Sequence, residues 1–578
     1  MSDNSDLKRT LQRRMAGLKS YRDEWDPLFR DLAAYIAPGR ARFYSGEGRG
    51  KRLRGKIIDS TGSRAHRTLQ SGMYTGISSP ARPWFRLTTA DHDLNEFQPV
   101  RHYLNQVGKR MMAMLAASNV YNALHTGYGD IGQFGVMCAI LEDDSVSVLR
   151  ATPLVMGQYW LGTDARGSVD TVFRKEEMTV EQIVGAFVYQ GDPTGDPDWS
   201  VVSDSIKSLW DRNQTGTRVE ISHAIYPRTD RDPEMKDAKN KPFASVYWEA
   251  QSTDERVLRV SGYDSNPILA PRWDVTGNDI YARGPGEVAL GDIKQLQAQQ
   301  RDKGMTIQLA YKPPYNLPTS AANTAFSLMP GARNYIDDPG GGIARPAIVA
   351  PGGVGELVAD IRETQDRIQQ AFFADVFLMI SNMAGIQPRN QFEMAERKEE
   401  KLQALGPVLD RLHFELLRPV ITRSYFAMEA AGRLPPAPEE LDGVEMKIDY
   451  ISILAQAQKA IATSGIERLW SFAGSLASAK PGVLDKLDED QAIDEYGDNL
   501  GVAPSLIRSD KDAEAIRQGR QEEQAQAQMA QQMAALAPAA KDGAAAAKML
   551  SEAGAGAGEE GGEGTRVADL AAQLGLTG

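Results

Sequence analysis

Leu7, Leu11, Met15 and Leu18 recur at three- and four-residue spacing near the start of the chain. Trp25, Leu28, Leu32 and Tyr35 repeat the pattern. That spacing stacks side chains on one face of a helix, so residues 1–36 are expected to be helical, ended by Pro38 and Gly39. A second helix is expected from a cap at Ser60 or Thr61 to about Met73. Pro80 and Pro83 then forbid helix, and Trp84 and Phe85 enter a strand. Leu104, Val107, Met111, Met114 and Leu115 mark one face of a helix over 96–117. Residues 118–144 read as loop, helix and buried strand. Residues 145–285 alternate in short runs broken by turns, such as "VLRVSGY", and predict β-hairpins interrupted by a helix at 179–189.

From residue 287 the pattern turns helical. Residues 287–312 carry a thin stripe (Leu290, Ile293, Leu296) among Gln295, Gln297, Gln299, Gln300 and Gln308. So thin a stripe needs neighbours on its flanks. A Pro/Gly-rich unit of about 40 residues follows, with strands expected at 331–336 and 344–350. Leu357, Ile361, Ile368 and Phe372 form a fuller stripe on a helix over 356–380, with Glu363 and Arg367 at the i,i+4 spacing that favours an ion pair. A long helix over 391–431 contains Pro407 and Pro419, each expected to kink or cut it at a cost of about 3 kcal/mol. Residues 450–510 read as short helices. Beyond about 511 the chain is Gln/Ala-rich, then Gly/Ala/Glu-rich. That composition buries too little apolar surface to offset ordering entropy, so the tail is expected to be largely disordered. Its last run, "VADLAAQLGL", has the spacing of a short amphipathic helix that would need a partner.

Composition narrows the function classes. The chain has 578 residues, 77 acidic against 65 basic, and a net charge of -12. Length allows several domains, and an acidic chain does not hold nucleic acid simply by being basic. One cysteine, Cys138, excludes an intramolecular disulfide and a cysteine-rich zinc site. No apolar run approaches the roughly 18 residues of a membrane helix, so no membrane insertion is expected. The N-terminus carries no apolar leader run. One local exception to the acidity is the loop from Pro38 to Lys56, with Arg40, Arg42, Arg49, Lys51, Arg52, Arg54 and Lys56 against Glu47. It reads as a solvated loop or as a contact for an acidic partner.

Motifs for catalysis are missing. The six histidines show no metal-ligand spacing and read as core or surface residues; His92, in "DHD", lacks a second nitrogen ligand. "GKRLRGK" (residues 50–56) imitates a phosphate loop, but Ile57 stands where Ser or Thr must meet magnesium. "LDEDQAIDEYGD" lacks the glycine and terminal glutamate of a calcium loop. Cys138 lies in an apolar run and reads as core. No cofactor and no catalytic residue is therefore assigned.

Several segments together resemble the portal, or head-to-tail connector, proteins of short-tailed bacteriophages. They are "IIDSTGSRAHRTLQSGMYTGISSPARPWFRLTT", "LAASNVYNAL", "YGDIGQFGVM", "MTVEQIV", "YARGPGEVALGDIKQLQ", "EKLQALGPVLDRLHFELLRPVITRSY", "GRLPPAPEEL" and "IDYISILAQAQKA". They occur in the family's order across residues 15–510. "PRNQFEMAERKEE" departs from the Thr-Ala-x-Glu pattern of relatives.

The resemblance implies an α+β portal fold: wing 1–286, stem helices 287–312 and 356–380, a small α/β clip at 313–355, a channel loop at 381–390, a long helix at 391–432, a crown at 433–510 and the tail 511–578. It implies a ring of about twelve subunits (a dodecamer) at one capsid vertex of the virion, synthesised in the host cytoplasm. Double-stranded DNA would pass through during packaging and ejection, independent of sequence. Terminase and then a tail adaptor protein would dock on the ring, alongside the major capsid and scaffold proteins. Strong lysine–phosphate contacts would hold sliding DNA in place, and a net-acidic wall keeps it mobile. Glutamine-rich stem faces would suit that wall. Lys294, Arg301 and Lys303 on the first stem helix, with Arg389 and Asn390 in the loop, are the residues expected nearest the duplex. The same basic groups could instead pair between neighbouring subunits. The folded stem is expected to depend on assembly. Competing readings are another virion structural part, a nucleotide hydrolase around residues 50–60, and a monomeric DNA-binding protein.

Overall fold

In a computed structural model of the chain, the structure describes residues 2–43, 55–91, 94–95, 97–191, 195–235, 237–311, 315–316, 345–346, 354–382, 405–451, 466–477, 480–500 and 513–529. They belong to two compact units, residues 1–472 with 499–501, and residues 473–498 with 502–578.

The expected first helix is two: α1 (Ser2–Asp23) and α2 (Asp26–Tyr35), with Pro27 in the first turn of α2. Proline fits there because that amide has no intrahelical partner to lose. α3 (Thr61–Ile77) runs a turn beyond the expected end. Its Ser60 cap residue makes no side-chain cap bond; instead Asp59 Oδ1 accepts from the Thr61 amide at 2.7 Å and its hydroxyl at 2.6 Å. Strand β1 (Phe85–Thr89) follows, then α4 (Gln98–Ala117) and α5 (Val120–Phe134). The predicted face of α4 is buried as expected. Gly135 ends α5 at φ 78°, where a side chain would also collide with the Ala282 carbonyl.

β2 (Ala139–Asp144) pairs antiparallel with β3 (Val148–Pro153) and with the short β9 (Ile268–Leu269). Between them lies a five-stranded antiparallel meander: β4 (Tyr159–Thr163), β5 (Val169–Thr179), β6 (Arg218–Pro227), β7 (Phe243–Glu249) and β8 (Arg259–Tyr263), in that order. Alternation along the strands buries both faces. One packs Trp160, Phe173, Ala224, Val246 and Trp248 under Leu11 and Met15 of α1. The other packs Ile221 and Tyr247 under α6 (Val180–Ile183), its following π turn and α7 (Asp204–Asp211). α6 opens with a reciprocal capping box between Thr179 and Gln182.

α8 (Pro285–Tyr311) is the first of two long helices. The short pair β10 (Tyr315–Asn316) and β11 (Arg345–Pro346) follows it. The strand expected at 331–336 lies outside the described residues. The helix expected over 356–380 is broken. α9 (Val354–Ala371) and α10 (Ala374–Asn382) are separated by Phe372 and by Phe373 at φ 52°. No proline or glycine causes the break. Phe372 is fully buried, and Phe377 sits against Gly72 of α3, where even a Cβ would overlap its ring. The packing of the two rings thus holds a left-handed phenylalanine in place.

The described part of the next helix begins with α11 (Gly406–Leu412), whose Pro407 lies in the first turn rather than in the interior. A π turn over His413–Leu417 precedes α12 (Arg418–Ala430), so Pro419 also falls at a helix start. The widened turn aims Glu415 at Arg272, with Oε1 2.8 Å from the guanidinium and Oε2 accepting the Arg272 amide at 2.9 Å. β12 (Met446–Tyr450) then pairs antiparallel with β1, Phe85 opposite Tyr450. The sequence pattern did not single out this strand. α13 (466–477), α14 (Glu489–Leu500) and α15 (513–529) complete the described chain. α15 corrects part of the expectation of disorder past 511. Apart from half-buried Ala513 and Ile516 it is exposed, but alanine, glutamine, glutamate and arginine are strong helix formers, and Arg517 holds Asp490 at 2.5 and 2.6 Å.

Candidate functional site

α8 and α9 pack side by side and run antiparallel. Arg367 on α9 reaches Asp292 on α8 at 3.2 Å, and Gln299 on α8 donates to Asp360 on α9 at 2.5 Å. Arg367 also makes the predicted bond to Glu363, at 3.0 Å. The 27 residues of α8 span about 40 Å. Its two halves differ. Ala289, Leu290, Ile293 and Leu296 are buried in the main core, which α2, α3, α5, α9 and α10 also line. Past residue 300 the apolar side chains Met305, Ile307, Leu309 and Tyr311 are exposed, Tyr311 by 84%. The first half therefore has the flanking neighbours that its thin stripe needs, supplied within the same chain.

Three of the five α8 glutamines, Gln297, Gln299 and Gln300, bind protein rather than lining an open wall. Gln297 Oε1 accepts the amides of Ile58 and Asp59 at 2.7 and 2.8 Å, and its Nε2 donates to the Asp59 carbonyl at 3.1 Å. Gln300 and Gln365 donate to Asp59 Oδ2 at 2.8 and 3.0 Å. Asp59 thus ties α3, α8 and α9 at one point. Burial pushes its carboxyl up, but Thr61 and the two glutamines outweigh burial and hold it below the usual carboxylate range. Of the predicted glutamines, Gln295 and Gln308 remain exposed, while Gln297 and Gln299 are buried. The Asp-Ser-Thr order at 59–61 is a legible turn signal. Nothing in the pattern pointed to Gln300 or Gln365 as its long-range partners.

The predicted cations separate. Lys294 Nζ lies 2.7 Å from Asp31 and 5.5 Å from the Tyr35 ring centroid, on the α2 side of α8. Lys56 lies against the same ring, at 5.3 Å. Arg301 is exposed and Lys303 half-buried, and neither has an ion-pair partner among the described residues. Arg389 and Asn390 lie outside the described residues. At the start of the basic loop, Arg40 meets Asp130 at 2.7 Å and donates to the Thr126 carbonyl at 2.8 Å. Burial raises Asp130 to about 6 despite that guanidinium. Residues 44–54 of the loop lie outside the described residues.

The titratable core residues are structural. His66 Nε2–H donates to the Gly129 carbonyl at 2.7 Å, and burial lowers the imidazole to about 4. His223 stacks on Tyr247 with ring centroids 3.7 Å apart, takes a bond from Arg174 at 3.0 Å and meets Ser245 at 2.9 Å. An arginine on Nδ1 prevents that nitrogen from acting as a base. Cys138 is buried and its thiol is pushed up. Among the described residues, no group of three His, Cys, Asp or Glu could hold a metal ion, and no helix is long and apolar enough to cross a membrane. His92 lies outside them.

α8 and α9 thus form an antiparallel helix pair that follows a β-rich first half. The family model for "bacteriophage head to tail connecting protein" matches residues 8–507. The chain belongs to that family. Two curated relatives agree. The "Portal protein" of Salmonella phage epsilon15 is 41% identical over 549 residues, covering 94% of this chain and 95% of the relative. The "Probable portal protein" of Bordetella phage BPP-1 is 40% identical over 534 residues, covering 92% and 94%. Among solved structures, a chain from "Virion of native gene transfer agent (GTA) particle" is similar at TM-score 0.33 and 12% identity, covering 76% of this chain and 89% of that one. The connector's role is that of a bacteriophage head-to-tail connector, or portal, and its architecture is mixed helix and sheet.

Proposed function

We propose that the chain assembles into a closed ring of about twelve copies at one vertex of the capsid, and that double-stranded DNA passes through the ring's centre. In this reading the β-rich half to residue 286 is the wing, α8 and the α9–α10 segment are the stem, and 313–355 is the clip. Residues 381–390 face the channel, 391–432 cross from wing to crown, 433–510 form the crown, and 511–578 are the tail. Terminase docks first and a tail adaptor replaces it, with capsid and scaffold proteins around the ring. The protein acts as a conduit and platform, with no reaction of its own.

The observation that carries the reading is the helix pair pinned at its base by Asp59, Gln297, Gln300 and Gln365. It gives a rod about 40 Å long that is anchored at one end and apolar and exposed at the other. An acidic chain with few unpaired cations on that rod also suits a duplex that must slide. Native mass measurement with electron microscopy of the purified protein tests it. Hollow rings of about a dozen copies are expected, and a compact closed dimer would overturn it.

A further inference from the structure

α3 is enclosed on three sides. Gly62 faces Ile293 of α8, Gly72 faces Phe377 of α10, and His66 meets the Gly129 carbonyl of α5. The fourth side is open. Arg64, Arg67, Ser71 and Thr75 are all exposed there, at spacings of three, four and four that keep them on one stripe. Among the described residues neither arginine has an ion-pair partner, and Arg64 uses only its Nε, on Ser60 Oγ at 3.1 Å.

The stripe is chemically one-sided. Its groups are guanidinium and hydroxyl, and all of them can donate a hydrogen bond. From Ser60 to Ala90 the chain carries Arg64, Arg67, Arg82 and Arg86 and no aspartate or glutamate, although the whole chain is net acidic. Arg86 is bound to Asp449, and Arg82 stands exposed past the end of α3. Among the helices packed on α3, α10 carries one acid, half-buried Asp375, and the Asp130 of α5 is held by Arg40. Soluble surfaces intersperse both signs. α8 does so, with Glu287, Asp292 and Asp302 against Lys294, Arg301 and Lys303, and so offers a duplex no net attraction.

We infer that the open stripe of α3 is the surface of this subunit that touches the phosphate backbone of passing double-stranded DNA. The inference rests on the conduit proposed above and names its contact residues, in place of Lys294 and Arg301. Position supports it. α10 is keyed to α3 through Phe377, and α10 ends at Asn382, where residues 381–390 begin. A duplex facing those residues therefore passes α3 as well. Arg64 to Thr75 spans about 16 Å along the helix, the axial rise of about five phosphates on one strand. Arginine and the hydroxyls of serine and threonine bind phosphate oxygens, and such contacts carry no sequence information. Only two of the four groups displace counterions, so the grip is weak enough for a duplex to slide.

The test is binding of the full chain to a mixed-sequence duplex of about 30 base pairs, with affinity followed as salt is raised from about 50 mM. Arg64→Gln with Arg67→Gln should weaken binding at least about tenfold and flatten the log–log salt slope by about 1.8 or more, roughly 0.9 for each arginine on a phosphate. Lys109→Gln with Arg301→Gln removes as much exposed charge from α4 and α8 and should leave the slope unchanged. A slope that the α3 variant leaves unchanged would overturn the assignment. As a second arm, Ser71→Cys carrying a photoactivated aryl azide should cross-link to the duplex, and Ala116→Cys on α4 should not; native Cys138 is buried and takes no label. Cross-linking at both positions, or at Ala116 alone, would also overturn it. Loss of rings in the α3 variant alone would mean that the stripe pairs with an acidic face of a neighbouring copy, which rejects the DNA contact and leaves the ring standing. A wild-type chain that forms no rings would remove the conduit, and the slope difference would still decide whether α3 holds DNA.

Discussion

Trp160, Phe173 and Trp248 fill one face of the β4–β8 sheet, and Val180, Ile183, Val184 and Phe187 cover the other beside the buried Arg174, His223 and Tyr247. At the base of the α8–α9 pair the equivalent space holds Gln297, Gln300, Gln365 and a charged Asp59. The sheet lobe gains from non-directional burial, roughly 25 cal/mol for each Å² removed from water. The helix base depends on bonds with direction, whose net worth is about 1 kcal/mol each but whose geometry permits one arrangement. The lobe is thus built to persist, and the base is built to set where a rod points. Polar pins give orientation where apolar packing alone would let two helices slide.

The largest expected effect tests the lobe. Trp248→Ala should cost about 3–5 kcal/mol in denaturant unfolding, because a fully buried ring leaves a cavity that the sheet cannot close. A loss below 1 kcal/mol would place the lobe's stability elsewhere.

Acid should weaken both regions through their buried histidines. Burial holds His66 at about 4, and His223 well below its ordinary value, so the folded protein favours neutral imidazole. The folded state then binds fewer protons than the unfolded one. The His66 contribution, about 3 kcal/mol, is complete above pH 6.5 and is lost as pH falls toward 4. Asp130, raised to about 6, has the opposite sign: its penalty grows as pH rises from about 4 to 6 and partly offsets the histidine. Unfolding free energy measured across pH 4–7 should therefore fall more steeply with acid in Asp130→Asn than in the wild type. An unchanged slope would contradict this balance.

Asp59→Ala should cost about 1–3 kcal/mol, since it strands the Gln300 and Gln365 amides and the Thr61 donors. Faster hydrogen exchange should appear at the start of α3 and in α8, with the sheet lobe unchanged. Exchange rising equally in the lobe would erase the contrast between the two regions. The smallest effect belongs to the exposed cations: Arg301→Ala should change the subunit's stability by no more than about 0.5 kcal/mol. Denaturant unfolding of the variant reads it.

Local periodicity by itself determined much of this protein. Leu104, Val107, Met111, Met114 and Leu115 announce α4, and Thr179 with Gln182 can cap a helix from sequence neighbours alone. The existence of α8 and α9 and the buried position of Cys138 were legible for the same reason: the signal lies within a few turns of chain. Tertiary structure decided the rest. β12 is a strand because β1, more than 350 residues earlier, offers it an edge. The second long helix breaks at Phe373 because buried Phe372 and the Gly72 notch for Phe377 bind more favourably than one continuous helix. Glutamines that looked like a neutral outer wall turn inward because Asp59 and the amides beside it need partners. Period tells which face of a helix is apolar. A polar side chain's partner is set by whatever distant element the fold brings within 3 Å, since a buried donor or acceptor left unpaired costs more than the bond itself returns.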